Sequence, residues 1–226
     1  MSLKENLYLN FIKDDRYQYL VSGLGNTLLI TIVAVVVGIL LGFLLAYVRT
    51  THDKTGKWKA VNLFAHLYIT VIRGTPMVLQ LLIVYFVIFA SVNIPKIIVA
   101  FIAFGLNSAA YVAEIIRAGI MSIDEGQFEA GASLGFSYTQ TMLYFILPQA
   151  IKNILPSLAN EYISMIKETS MAGTFMLYEL MYTRTILANK YLSWQPLFII
   201  AGIYLVMTLV LTNLVKFFER RMSVSD

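Results

Sequence analysis

The sequence predicts an all-α integral membrane protein: five transmembrane helices, an N-terminal interfacial helix over residues 1–19 and one large polar loop over residues 122–148, in a single domain spanning 1–226. Three observations carry this reading. Of the 226 residues, 58% are hydrophobic and only 13% charged, with a mean hydropathy of +0.73, far from the roughly 25% charged residues of soluble domains. Residues 21–48 run without one charge, more than the roughly 20 residues a spanning helix needs. The Lys and Arg fall between apolar segments, so a net charge of +4 reflects membrane topology and lipid head groups rather than nucleic acid.

With no cysteine in the chain, disulfides, thiol chemistry and Cys-ligated metals are excluded. The two histidines, His52 and His66, form no ligand-like cluster, so neither a metal site nor a catalytic residue is expected.

Residues 1–19 mix charges with Leu7, Tyr8, Phe11, Ile12, Tyr17 and Tyr19, the pattern of an amphipathic segment lying at the membrane surface. The segment lacks the apolar stretch and cleavage site of a signal peptide, so the first spanning helix is expected to act as its own insertion signal. Within residues 21–48, Ala34, Gly38, Gly42 and Ala46 recur every four residues, a small-residue stripe that lets another helix approach closely. Residues 49–59 read as a short basic loop and residues 60–72 as a helix too short to span alone.

That helix stops at Arg73-Gly74-Thr75-Pro76, with Gly74 past its end, Thr75 as the next N-cap and Pro76 in the first turn that follows. Residues 77–91 form the second crossing. After a turn at 93–96, the third returns from near Pro95 to Ile120. Residues 141–166 form the fourth, kinked at Pro148 and Pro156, and residues 194–218 the fifth. Residues 167–190, interrupted by Gly173, read as a partial insertion or short surface helices.

The loop at 122–148 is too large to be a mere connection. Ser122 with Glu125, and Ser137 with Gln140, have capping-box spacing, and Gly135 reads as a helix stop. Two short helices meeting at an angle are expected, with Ala130, Gly131 and Ala132 offering a small-residue surface for docking.

Glu129-Ala130-Gly131, then Gly135, then Leu147-Pro148, resembles the EAA motif of ABC importer permeases of the MetI-like fold, with Gly131 replacing the second Ala and Phe145 the usual Ile. Arg73-Gly74-Thr75-Pro76 with Gln80, the stretch 110–117 (AYVAEIIR) and Lys167-Glu168-Thr169-Ser170 are similar to the polar amino-acid branch, Glu168 being a departure. The resemblance implies a loop that serves as the coupling helix, with Glu129, Ala130, Gly131 and Gly135 as ATPase-coupling residues. It also implies two ABC ATPase subunits that bind ATP and Mg, an extracytoplasmic solute-binding protein, and a second permease copy or a homologous permease. No cofactor is expected in this chain, which lacks a G-x-x-x-x-G-K-S/T phosphate loop.

A permease performs no covalent chemistry, so polar groups among apolar ones are the informative residues. Asn107, Tyr111 and Glu114 share one face of the third spanning helix, opposite Gly105, Ala109 and Ala113. Ser157, Glu161, Ser164 and Glu168 form a stripe on the fourth. Intramembrane carboxylates are costly unless paired or facing water. Glu114 and Glu161 therefore call for a cation, either a protein residue such as Arg117 or the substrate. Two such carboxylates around one cavity point to a basic, arginine- or lysine-like amino acid. Asn107, Ser164 or a helix N-terminus near Thr75 are the donors available to its carboxylate.

An ion-coupled secondary transporter is the alternative. Such transporters typically show paired repeats with broken helices, and five crossings do not divide evenly. The resemblance implies a bacterial or archaeal cytoplasmic membrane protein, and the Lys/Arg bias favours its C-terminus, the 49–59 stretch and the 122–148 loop inside. The N-terminus, Lys96, Arg184 and Lys190 would lie outside.

Overall fold

The computed structural model describes residues 3–189 and 194–223, and every regular element among them is helical. In chain order these are α1 (Leu3–Leu7), α2 (Tyr17–Thr55), α3 (Lys59–Gly74), α4 (Met77–Ile83), α5 (Lys96–Met121) and α6 (Glu125–Ser133). There follow α7 (Tyr138–Thr141), α8 (Leu147–Glu168), α9 (Leu180–Asn189) and α10 (Gln195–Ser223). A wide helical turn extends α4 to Ile88 and another joins α7 to α8.

The interfacial segment is not one helix. After α1 the chain passes through wide and tight turns with Asp14 in a left-handed conformation, and Asn10 and Phe11 are buried. The segment thus packs partly against the bundle.

Helix α2 runs 39 residues and absorbs most of the stretch expected to be a basic loop. Nothing in residues 49–55 breaks a helix, and the chain turns only at Gly56, with φ at +66°. Ala34, Gly38, Gly42 and Ala46 are all buried. A Cβ on Gly38 would lie 2.7 Å from the Ser108 Cβ, and one on Gly42 2.7 Å from that of Val112. On the other helix, Gly105 meets Val37 in the same way. The stripe is therefore the seam between α2 and α5, and its register makes the two helices parallel.

Helix α5 is the centre of the molecule, with 61% of its most apolar stretch buried against 6% for α10. Val99, Ala100 and Phe104 pack with Ile30 and Ala34 of α2, Leu81 of α4, Met165 of α8 and Phe175. A second cluster, Ile120, Ile123, Ile146, Ala150 and Ile154, joins the end of α5 to the start of α8.

By length and composition, α2, α5 and α10 can each cross a membrane, and the pair α3–α4, bent by 111°, is a fourth if it forms one broken span rather than a re-entrant loop. Helix α8, expected as the fourth crossing, spans 22 residues but is less apolar, carrying Lys152, Glu161, Lys167 and Glu168. Residues 167–189 resolve into the end of α8, a tight turn over Thr169–Phe175 and α9; Lys190 lies outside the described residues.

Candidate functional site

The bend between α3 and α4 is built locally. Pro76 forces Thr75 into an extended conformation, with φ −123° and ψ 149°. Contrary to the expected cap, the Thr75 hydroxyl donates backwards to the Val71 carbonyl at 2.8 Å, and Pro76 itself occupies the N-cap of α4. Gln80 closes the corner. Its Nε2 lies 2.7 Å from the Ile72 carbonyl, 3.1 Å from the Thr75 carbonyl and 2.8 Å from the Thr75 hydroxyl. Its Oε1 accepts from Asn107 Nδ2 at 3.0 Å. Asn107 is buried on α5 and serves as the far anchor of this corner.

One helical turn along α5, the bend presents Arg73 to Tyr111 and Glu114. The Arg73 guanidinium stacks over the Tyr111 ring at 5.4 Å and lies 3.5 Å from the Glu114 carboxylate. Arg117 meets the same carboxylate at 3.2 Å from the other side. Glu114 is thus paired within the chain by two arginines. Tyr111, Glu114 and Arg73 line two adjoining clefts. The first, of ≈ 470 Å³, is completed by Arg49, His66, Thr70 and Arg117. The second, of ≈ 490 Å³, is completed by Asn153 and Ser157 of α8 and by Ser122.

Glu161 and Ser164 are half-buried on α8, and neither lines these two clefts. Among the described residues Glu161 forms no ion pair within 4.0 Å, although Arg73 and Glu168 lie within electrostatic reach. The structure therefore brings Tyr111 and Glu114 together, turns Asn107 to the α4 corner, and leaves Glu161 and Ser164 on a separate stretch of α8.

The 122–148 loop folds as two short helices. The N-cap of α6 is Asp124, which accepts from Gly126 N–H at 2.7 Å. Ser122, the expected cap, instead bonds the Gly119 carbonyl and Asn153. Gly135, at φ +83°, ends α6 with paired return bonds, Phe136 N–H to the Gly131 carbonyl and Gly135 N–H to the Ala132 carbonyl, each 3.0 Å. This is the expected glycine stop in Schellman form. Ser137 and Gln140 make the expected capping box.

Glu129 and Ala130 are exposed on α6, whereas Gly131 is buried. It is therefore not part of an outward docking surface. A Cβ there would come within 2.6 Å of the Thr141 side chain, so the glycine at the second alanine position of the motif is what lets α6 and α7 close.

Several residues were invisible as site elements in the sequence. Arg73 read as part of a stop signal, yet it joins the cleft because the bend swings it onto α5. Glu179, fully buried, accepts from Met181 and Tyr182 N–H at 2.7 and 2.6 Å and from Tyr204 at 3.2 Å. It caps α9 and holds α10. A lone acid before LMYTR was the only signal.

An all-helical bundle with a bent helix pair, a charged cleft and a projecting two-helix loop defines a transport permease, and comparison with known proteins agrees. Residues 38–224 match the family described as binding-protein-dependent transport system inner membrane component. The chain belongs to this family.

It is 37% identical over 210 residues to a putative glutamine transport system permease protein of Rickettsia felis, covering 92% of this chain and 94% of that protein. It is 39% identical over 213 residues to the arginine transport system permease protein of Bacillus subtilis, with the same coverage. A crystal structure of an amino acid ABC transporter with histidines superposes with a TM-score of 0.84 at 42% identity, covering 91% of this chain and 94% of that one. The MetNI methionine ABC transporter shares the fold at a TM-score of 0.73 and 18% identity.

Proposed function

We propose that this permease subunit of an amino-acid ABC importer carries basic amino acids, that it is driven by two separate ATPase subunits docking on the α6–α7 loop, and that α5 and α8 supply its substrate site. Permeases named for glutamine and for arginine stand at nearly the same identity, so the relatives support polar amino acids without separating the two. The observation that carries the basic reading is the contrast between two carboxylates. Glu114 has its cations in Arg73 and Arg117, while half-buried Glu161 has none in ion-pair contact. An intramembrane carboxylate is paired or faces water, so Glu161 is the group left to take a cationic substrate. Ser164, one turn along α8, is the neighbouring donor for the substrate, and Tyr111 supplies an aromatic wall to the cleft it lines with Ser157, one turn before Glu161 on α8.

In the assembly proposed, ATP and Mg sit in the ATPases, an extracytoplasmic solute-binding protein delivers the amino acid, and a second permease, identical or homologous, completes the pathway. The α6–α7 loop and the C-terminus face the cytoplasm and the N-terminus faces outward. The ion-coupled alternative has no support from a family defined by binding-protein-dependent transport.

The test is equilibrium binding of L-arginine, L-lysine and L-glutamine to the purified complex carrying Glu161→Gln. A hydrogen bond to a charged group contributes about 1.5–3 kcal/mol, so arginine and lysine affinity should fall roughly ten- to hundredfold while glutamine binding holds. Unchanged arginine binding would remove Glu161 from the site.

A further inference from the structure

The proposed coupling loop and the charged cleft lie at opposite ends of α5's last three turns, and a run of ionic contacts, bridged once by the α2 backbone, joins them. On α6, Glu125 accepts from Lys54 Nζ at 2.9 Å. The same ammonium sits 4.7 Å over the ring of Phe128, one turn further along α6, so one α2 side chain holds two loop residues. Its neighbour Asp53 reaches Arg117 of α5 at 3.8 Å. Arg117 holds Glu114 at 3.2 Å, and Glu114 meets Arg73 at the bend at 3.5 Å. The series runs loop, α2, α5, α3, and its one covalent step is the backbone between Lys54 and Asp53 on α2.

We infer that Asp53 and Lys54, the C-terminal turn of α2, are positioning residues that transmit displacement of the α6–α7 loop to the Arg73–Glu114 cluster at the cleft. The inference rests on the reading of that loop as the ATPase-docking element. It does not rest on the stability of any single pair. Glu125 is 82% exposed on its side chain, and exposed pairs contribute about 0–1 kcal/mol.

What the ladder supplies is registration. Helix α2 is continuous for 39 residues and seamed to α5 at Gly38 and Gly42, about three turns before its end. A loop that moves relative to Lys54 must therefore break the Lys54 contacts or carry the end of α2 with it. In the second case Asp53 pulls Arg117, and the clamp on Glu114 opens or closes from one side. In the inferred mechanism these discrete contacts switch between two arrangements that both ends bias, which is what coupling between sites requires. The glycine seam supplies the fixed rail against which such a change is measured.

The experiment uses the full complex, permease with its ATPases and binding protein, reconstituted in lipid vesicles, and reads amino acid transported per ATP hydrolysed with L-arginine and L-glutamine as probes. Lys54→Glu sets two acids against each other and should lower that ratio roughly fivefold or more, at the low end of coupling between sites, with basal hydrolysis retained. The charge swap Lys54→Glu with Glu125→Lys should restore it, which shows that the ion pair rather than either side chain alone carries the effect. Asp53→Asn, which cuts the next step, should reproduce the loss with Lys54 intact.

A normal ratio in Lys54→Glu or in Asp53→Asn would overturn the inference, and so would a swap that fails to restore coupling. If the unaltered complex shows no amino-acid-stimulated hydrolysis at all, the importer reading of the loop falls, and the ladder with it.

Discussion

At the corner between α3 and α4, one side chain replaces the hydrogen bonds that a continuous helix would have made. Thr75 and Pro76 interrupt the backbone ladder, and Gln80 reaches back to the Ile72 and Thr75 carbonyls while Asn107 holds its oxygen. A polar group left unpaired in such a place costs about 1–3 kcal/mol. Gln80→Leu should therefore destabilise the purified permease by about 2 kcal/mol, and Asn107→Leu by a similar amount because it strands the Gln80 oxygen. The double variant should fall short of the sum by about 1 kcal/mol, since the pair is broken only once. Strict additivity in thermal unfolding midpoints would show that the two amides do not act as a unit. The sequence marks Asn107 as polar on an apolar helix but not why, because its partner is 27 residues away across a bend that no local pattern encodes. Glu114 is easier to read, since Arg117 lies at i+3 on the same helix, a spacing that places the two side by side.

The loop helices show where element-scale signals succeed and where they fail. Gly135 and the Ser137–Gln140 box lie within a few residues of the ends they cap, so their chemistry is complete in the sequence, and the structure forms both. The basic stretch at 49–59 suggests a loop by its charge, but Arg49 and Lys54 are good helix formers and the stop comes only at Gly56. Gly131 fails differently. Its small size answers Thr141, ten residues on, and the contact exists only after the chain has turned at Gly135. Restoring the usual motif residue with Gly131→Ala should therefore harm this protein. The added methyl would sit within 2.6 Å of the Thr141 side chain, and overpacking of this kind costs about 1–3 kcal/mol. The expected outcome is weaker retention of the ATPases on purification, partly recovered by adding Thr141→Ala, which removes the crowding hydroxyl and methyl. Gly131→Ala with normal retention would mean that α6 and α7 are free to separate without consequence for docking.

Taken whole, the bundle constrains its own threading through the membrane. Helices α2 and α5 run parallel along the Gly38–Ser108 and Gly42–Val112 seam, so Lys96, at the start of α5, lies level with the N-terminal third of α2. The chain leaves α2 at the opposite end, at Thr55, and must return the whole way before α5 begins. Only α3 and α4 lie between, and that pair is bent by 111°. A bent pair is either a broken crossing or a re-entrant hairpin, and hydropathy alone does not separate the two. The register does, because a hairpin would deliver the chain to the wrong end of α5. Because the protein contains no cysteine, single cysteines report the answer directly. Lys57→Cys, between α2 and α3, and Asn93→Cys, before α5, are both at exposed positions. With a membrane-impermeant thiol reagent, intact cells should label Asn93→Cys and spare Lys57→Cys, and inverted vesicles should give the reverse. Labelling of both from one side would make the pair re-entrant. The opposite pattern, with Lys57→Cys labelled from outside, would invert the proposed orientation and place the α6–α7 loop beyond the reach of any cytoplasmic ATPase.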